Sequence, residues 1–373
     1  MGMTTDASVP MNDLARGTQL LRAEIDQAVG RVLDSGYFIL GPENAALEGE
    51  LSTYLGVDGA VLVGNGTDAL QLALAAVGVT AGDLVMTVAN AGGYTTTAAR
   101  ALGAEPYYVD VEPDTLLMSL RTFEDALRDA PAKPKTLVIT HLFGSAVDAA
   151  PIVSHARGLG ITVIEDCAQA IGAAYGGRKV GTFGDLATTS FYPTKNLGAI
   201  GDAGAIFGSD SGALARARQL RQYGWESKYR TTVSGGMNSR MDEMQAAIIR
   251  VKLPHLDAWN ARRNEIHAEY EQATSGPIRF VTRAVDGFAG HLAVLEVEDR
   301  TRVQALFAAA RIGTDVHYPT PDHLQPFVSR GPQPRLATTE RAAGRILSVP
   351  MFPELRSDEI ERVCIALREA SAG

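Results

Sequence analysis

The chain has 373 residues, 46% of them apolar and 21% charged, and a net charge of −9. That length exceeds one ordinary core and predicts two packed domains. No apolar run approaches the roughly 18 residues of a membrane span, and the acidic balance argues against a nucleic-acid partner, which needs a basic patch.

The opening stretch Met1–Asn12 lacks the basic-then-apolar order of a secretion signal. The two cysteines, Cys167 and Cys364, stand far apart in no metal-ligand spacing, and the histidines are scattered. A reduced, cytoplasmic protein without a metal site is the expectation.

In chain order, Leu14–Leu33 has helical apolar spacing and stops at Asp34-Ser35-Gly36; Ala46–Tyr54 reads as a second helix closed by Gly56. Strand-like runs follow at Ala60–Val63, Leu84–Val88, Pro106–Val109, Thr136–Thr140 and Ile161–Ile164. Helical stretches lie between them, at Asp68–Ala76, Thr95–Ala101, Leu120–Arg128 and Ile152–Leu159. Such alternation predicts a mostly parallel sheet covered on both faces, and runs at Ala187–Phe191 and Gly204–Phe207 bring it to seven strands. Asp242–Thr274 reads as a long helical region interrupted at Pro254. After it come a strand (Leu292–Val297), a helix (Thr301–Ala310), a Pro-rich passage (Pro319–Pro334) and two closing helices (Thr339–Ile346, Ser357–Glu369). The expected organisation is a large α/β domain over 1–250 and a small α+β domain over 251–373.

Three groups could carry chemistry. Gly64-Asn65-Gly66-Thr67-Asp68-Ala69 joins a strand to a helix, where glycines and free N–H groups suit a phosphate. It also fits the G-x-G-x-x-A turn of a dinucleotide fold, or a plain capped turn. The dinucleotide reading requires an acid after the second strand, and Ala89-Asn90-Ala91-Gly92-Gly93-Tyr94 offers none. Glu165-Asp166 closes another strand; a carboxylate there could pair a protonated ring nitrogen, bind a metal or face water. Lys195 follows a strand within Ser190-Phe191-Tyr192-Pro193-Thr194-Lys195-Asn196-Leu197-Gly198. It is either a structural lysine or an amine whose pKa burial lowers for nucleophilic work. Tyr192 and Lys195 lack the Tyr-x-x-x-Lys spacing of short-chain dehydrogenases.

In this order the three groups resemble the DegT/DnrJ/StrS sugar aminotransferases, fold-type I pyridoxal-phosphate enzymes. Further matching segments are Asp34–Pro42, Gly103-Ala104-Glu105-Pro106, His141–Gly144, Gly235–Glu243, His317-Tyr318-Pro319 with His323, and Leu347–Pro350. The resemblance implies that Lys195 is the Schiff-base lysine, Asp166 the partner of the pyridine nitrogen, and Gln169 a neighbour of the phenolic oxygen. Gly66, Thr67 and Ser190 match phosphate contacts. Asn238 matches a phosphate contact reaching across a homodimer, with Arg240 close by, and Tyr318 and His323 match positions that approach substrate. The aromatic residue that usually stacks on the cofactor falls at Gly92, so either Tyr94 stacks from a rearranged loop or another group covers the ring.

The implied reaction is a ping-pong transamination with L-glutamate as donor and a dTDP- or UDP-linked keto-deoxysugar as acceptor, in amino-sugar or antibiotic biosynthesis. A keto-inositol aminotransferase would use the same residues. A family dehydratase would lack Lys195, a regulatory protein would not need the Lys195/Asp166 pair, and an NAD-dependent oxidoreductase is the outside alternative.

Overall fold

The computed structural model describes residues 8–283, 287–328 and 334–372. Most of the Met1–Asn12 leader and part of the Pro319–Pro334 passage therefore lie outside the described residues. The strands of the main sheet are β1 (Gly59–Val63), β2 (Leu84–Val88), β3 (Glu105–Val109), β4 (Thr136–Thr140) and β5 (Thr162–Asp166). Two short strands, β6 (Ala174–Tyr175) and β7 (Arg178–Lys179), form a separate hairpin before β8 (Leu186–Ser190) and β9 (Gly204–Gly208) rejoin the sheet.

The order is β1-β9-β8-β5-β4-β2-β3, and only β9 runs against its neighbours. This is the α/β, fold-type I architecture with a mostly parallel seven-stranded sheet. Successive strand residues face opposite sides. Met86, Ile139 and Val163 enter one apolar cluster, whereas Val85, Val138 and Ile164 enter the cluster behind it. Both faces are thus covered by helices, as parallel sheets require.

The helix after the first segment begins at Pro42, ahead of the expected Ala46. Its start is fixed from a distance: the Glu243 carboxylate accepts the N–H groups of Gly41, Glu43 and Asn44 at 2.8–2.9 Å. An acid at a helix N-terminus satisfies orphan donors and meets the helix dipole. The N-terminal helical region is divided at Leu21 into Leu14–Leu20 and Arg22–Ser35. The long region after Asp242 is likewise interrupted, with a 3-10 turn at Leu253–His255 containing Pro254.

Beyond the main sheet, β10 (Trp225–Ser227) and β11 (Arg230–Thr231) form a small hairpin. A three-stranded antiparallel sheet follows from β12 (Arg279–Phe280), β13 (Ala293–Glu296) and β14 (Ile346–Val349). The last strand was not expected: the sequence reading ended a helix at Ile346, but that helix stops at Arg345 and the chain turns extended. Leu295, Leu347 and Val349 bury themselves with Tyr270, Val363 and Leu367 from the covering helices. Among the described residues no helix is long and apolar enough to cross a membrane.

Candidate active site

A cavity of about 560 Å³ opens at the carboxyl ends of the parallel strands and gathers Gly66, Thr67, Asp166, Gln169, Ser190 and Lys195. Tyr94 and Tyr318 line its other side.

The β1 turn builds the first corner. Asn65 caps the helix Gly66–Ala76 by accepting the Asp68 N–H at 2.8 Å, leaving the N–H groups at the start of that helix turned towards the cavity. Gly66 packs so closely on β8 that a Cβ there would lie 2.6 Å from Ser190 Cβ. The Ser239 hydroxyl ties the turn from behind, accepting the Gly64 N–H and donating to Asp68. Backbone donors, Thr67 and Ser190 thus converge on one spot suited to a phosphate.

The two acids ending β5 have separate fates. Glu165 is fully buried and accepts from His141 Nε2 and from the N–H groups of Gly181, Phe183 and Gly184 at 2.6–3.0 Å. Despite burial, those donors hold its pKa below the ordinary carboxylate value. Because His141 Nδ1 accepts the Val147 N–H, the ring proton belongs on Nε2, facing Glu165. Asp166, one residue on, points into the cavity. Among the described residues its carboxylate accepts only the Ala168 N–H, at 3.0 Å, and burial pushes its pKa up against the opposing pull of Ala168 and Lys195. A buried carboxylate with so few partners is a site for a cation. The solvent-facing reading of this pair gives way, because both acids are buried, and Glu165 is already saturated by donors.

Lys195 sits in a tight turn in which its own N–H donates to Tyr192 O at 2.8 Å. Surrounding protein pushes the amine down to about 8, with Asp166 working in the other direction. Gln169 is fixed at both ends: its Oε1 accepts the Phe143 N–H at 2.7 Å, and its Nε2 donates to the Tyr318 hydroxyl at 3.1 Å.

The facing wall is built around Gly92. Gly92 has φ of +83°, a region that disfavours other residues, and a Cβ there would meet two Tyr318 ring carbons at 2.9 Å. Tyr318 thus fills the space in front of Gly92. Tyr94 meets it edge-on, with ring centroids 6.3 Å apart, and is itself 47% exposed.

Three expected residues do not line this cavity. His323 is buried behind the wall, 3.2 Å from Glu340 and beside the Tyr108 ring. Asn238 is exposed and bridges Gln222, and Arg240 lies over the Tyr223 ring. Conversely, Asp202, His291 and Asp315 line the cavity and were not singled out from the sequence, and His317, named only within the segment His317-Tyr318-Pro319, lines it too. The one signal for His291 was a polar residue inside the apolar stretch Phe288–Val297.

The chain is similar to known proteins over nearly its whole length. Residues 19–368 match the DegT/DnrJ/EryC1/StrS aminotransferase family. The chain is 40% identical to a Geobacillus stearothermophilus protein named a pleiotropic regulatory protein, over 97% of this chain and 98% of that one. It is 38% identical to the dTDP-3-amino-3,4,6-trideoxy-alpha-D-glucose transaminase of Streptomyces venezuelae, over 97% and 96% of the two chains. The crystal structure of S. venezuelae DesV in complex with a ketimine intermediate superposes with a TM-score of 0.93 at 39% identity, covering 98% of this chain and 99% of that one. The chain belongs to the DegT/DnrJ/EryC1/StrS family and is an aminotransferase.

Proposed function

We propose that the protein transfers an amino group from L-glutamate to a keto-deoxysugar linked to dTDP or UDP, in amino-sugar biosynthesis. The observation that carries this reading is the meeting, in one cavity, of Lys195, the underpartnered Asp166 and the Gly66/Thr67/Ser190 corner. The relative named for a dTDP-amino-sugar transaminase supports the substrate class.

The cofactor of this family is pyridoxal 5′-phosphate. The residues present fit it: a corner of free N–H groups for the phosphate, a buried carboxylate short of a cation, and an amine of lowered pKa. Once bound, the cofactor supplies an electron sink for the substrate carbon that loses its proton. Gly66, Thr67 and Ser190 would hold its phosphate, and Asp166 would keep its ring nitrogen protonated. Gln169, locked by Phe143 and Tyr318, would set the edge of the ring. Lys195 would anchor the cofactor, then as a free amine take a proton from the substrate carbon and return it elsewhere. Tyr318, packed before Gly92, would be the group that covers the ring, leaving Tyr94 and the opening beside it to substrate.

Asn238 and Arg240 fit a shared site in a homodimer. Asn238 is exposed, and its segment runs to Asp242, which bridges Ile39 beside the exposed Tyr37 and Phe38. An apolar patch of that kind marks an association surface. Regulation alone would give no use to the Lys195/Asp166 pair.

The test is to offer glutamate with a panel of dTDP- and UDP-keto-sugars and with keto-inositol, and to measure 2-oxoglutarate. Release with a keto-sugar nucleotide is expected. Turnover with keto-inositol alone would replace the sugar reading with a cyclitol one.

A further inference from the structure

The turn that carries Lys195 has a second cavity behind it. This cavity measures about 270 Å³ and shares only Thr194 and Lys195 with the first, so residues 193–201 form the partition between them. Its other walls are the helix Leu14–Leu20 with Asn12 and Asp13 ahead of it, the helical region of Lys252, Trp259 and Arg263, and Pro353-Glu354. None of these residues borders the first cavity. The space is too small for a sugar nucleotide, since drug-sized ligands take roughly 300–1,000 Å³. At roughly 30 Å³ for one water molecule, it suits a ligand of about ten heavy atoms.

Three charged side chains meet there without neutralising one another. Arg263 is buried and donates through Nη1 to Met351 O at 2.7 Å and Gly290 O at 3.5 Å. Its Nε and Nη2 find no acceptor among the described residues. Lys252 donates to Gly198 O at 2.6 Å, which uses one of three ammonium protons. Burial pushes the Arg263 pKa down to about 10 and lowers that of Lys252, and Glu354 opposes both shifts. Yet no ion pair joins Glu354 to either cation among the described residues. Its carboxylate lies instead along the first helix, where Gly17 leaves room: a Cβ there would stand 2.8 Å from Glu354 Oε1. Two cations and one carboxylate are thus held apart around one cavity.

We infer that this second cavity binds a free amino acid, whose carboxylate is received by Arg263 and Lys252 and whose ammonium is received by Glu354. Buried donors without an acceptor are costly, and a ligand carboxylate supplies charge-assisted partners for them. A bare phosphate would suit the cations but would face Glu354 with like charge. A simple amine would suit Glu354 and leave the cations unmet. A zwitterion answers both, and a second carboxylate, as in glutamate, balances the surplus positive charge.

The experiment uses the full chain loaded with pyridoxamine 5′-phosphate, a form that does not consume amino acids. In a Trp225→Phe background the one remaining tryptophan is Trp259, which lines this cavity and not the first, so its emission reports on this site. L-Glutamate is expected to change that emission saturably. Glutarate, which lacks the ammonium, is expected to bind about tenfold more weakly, the scale of one hydrogen bond to a charged group. Glu354→Gln should weaken glutamate about tenfold and bring it level with glutarate. Lys252→Gln keeps a donor for Gly198 O and should weaken both ligands alike. The absence of a saturable response to glutamate overturns the inference, including the case in which a second copy of the chain fills the cavity. Glutarate or inorganic phosphate binding as tightly as glutamate overturns it as well, and so does a glutamate preference that survives in folded Glu354→Gln. The glutarate and phosphate comparisons need no substitution in the cavity, so they decide the matter even if neither variant folds.

Discussion

The two walls of the cavity are built in different ways. The inner wall, with Gly66, Asp166, Ser190 and Lys195, comes from strand ends and turns of one sheet. The opposite wall joins Gly92 and Tyr94, after β2, to Tyr318, near the three-stranded sheet. Its shape exists only where the two segments meet. A site assembled this way keeps its chemistry on the rigid element and leaves substrate selection to a seam.

If the inner wall carries the chemistry, its loss should be nearly complete. Lys195→Ala is expected to lower kcat by about a thousandfold or more, the scope of a lost general base. Its cofactor should remain bound and should no longer be fixed by borohydride. Normal turnover would remove Lys195 from the mechanism. The same variant probes whether the site is closed by a second copy. Mixing it with an inactive Asn238→Ala variant and allowing subunits to exchange leaves each mixed dimer one intact site, if Asn238 serves its partner. Activity should then recover to about a quarter of wild type. A mixture as inactive as its parents would return Asn238 to a local role.

The seam predicts a smaller and non-additive effect. Gly92→Phe imposes a side chain at φ +83° and drives it into the Tyr318 ring. It should cost about 2 kcal/mol or more in denaturant unfolding. Tyr318→Ala in the same chain vacates the space, so the double variant should recover about 1 kcal/mol relative to the sum of the singles. Strict additivity would mean that the two residues do not share that volume.

The same difference explains what could be read from the chain. The seven strands, the Gly64–Ala69 turn and the turn at Lys195 were legible because each is a contiguous pattern of apolar alternation, glycine and capping residues. The helix start at Pro42 was not, since its cap is the Glu243 carboxylate, remote in sequence. Nor was β14, whose four residues become a strand by pairing with β13. Glu165 and Asp166 looked alike as sequence; the strand's alternation and the donors around Glu165 separate them. His291 stayed hidden because its partner Asn196 is remote in sequence.

A last, pH-dependent effect concerns how the seam is fastened. Asp322, four residues past Tyr318, is buried and accepts the Thr96 hydroxyl at 2.7 Å, while its N–H donates to Ala89 O at 2.8 Å. Burial pushes its pKa up to about 6, against the opposing pull of Thr96 and the Gly93 N–H. An acid whose folded pKa is raised binds its proton more tightly in the native state, so its contribution is fullest below about pH 4 and is lost as pH climbs to about 6. The loss should amount to about 2–3 kcal/mol. Asp322→Asn does not titrate, so its stability should fall less than wild type across that window, with the two curves parallel above it. Unfolding free energies at pH 4, 5, 6 and 7 test this; parallel curves throughout would mean that Asp322 is not protonated in the native state, and that the seam is held by a charge.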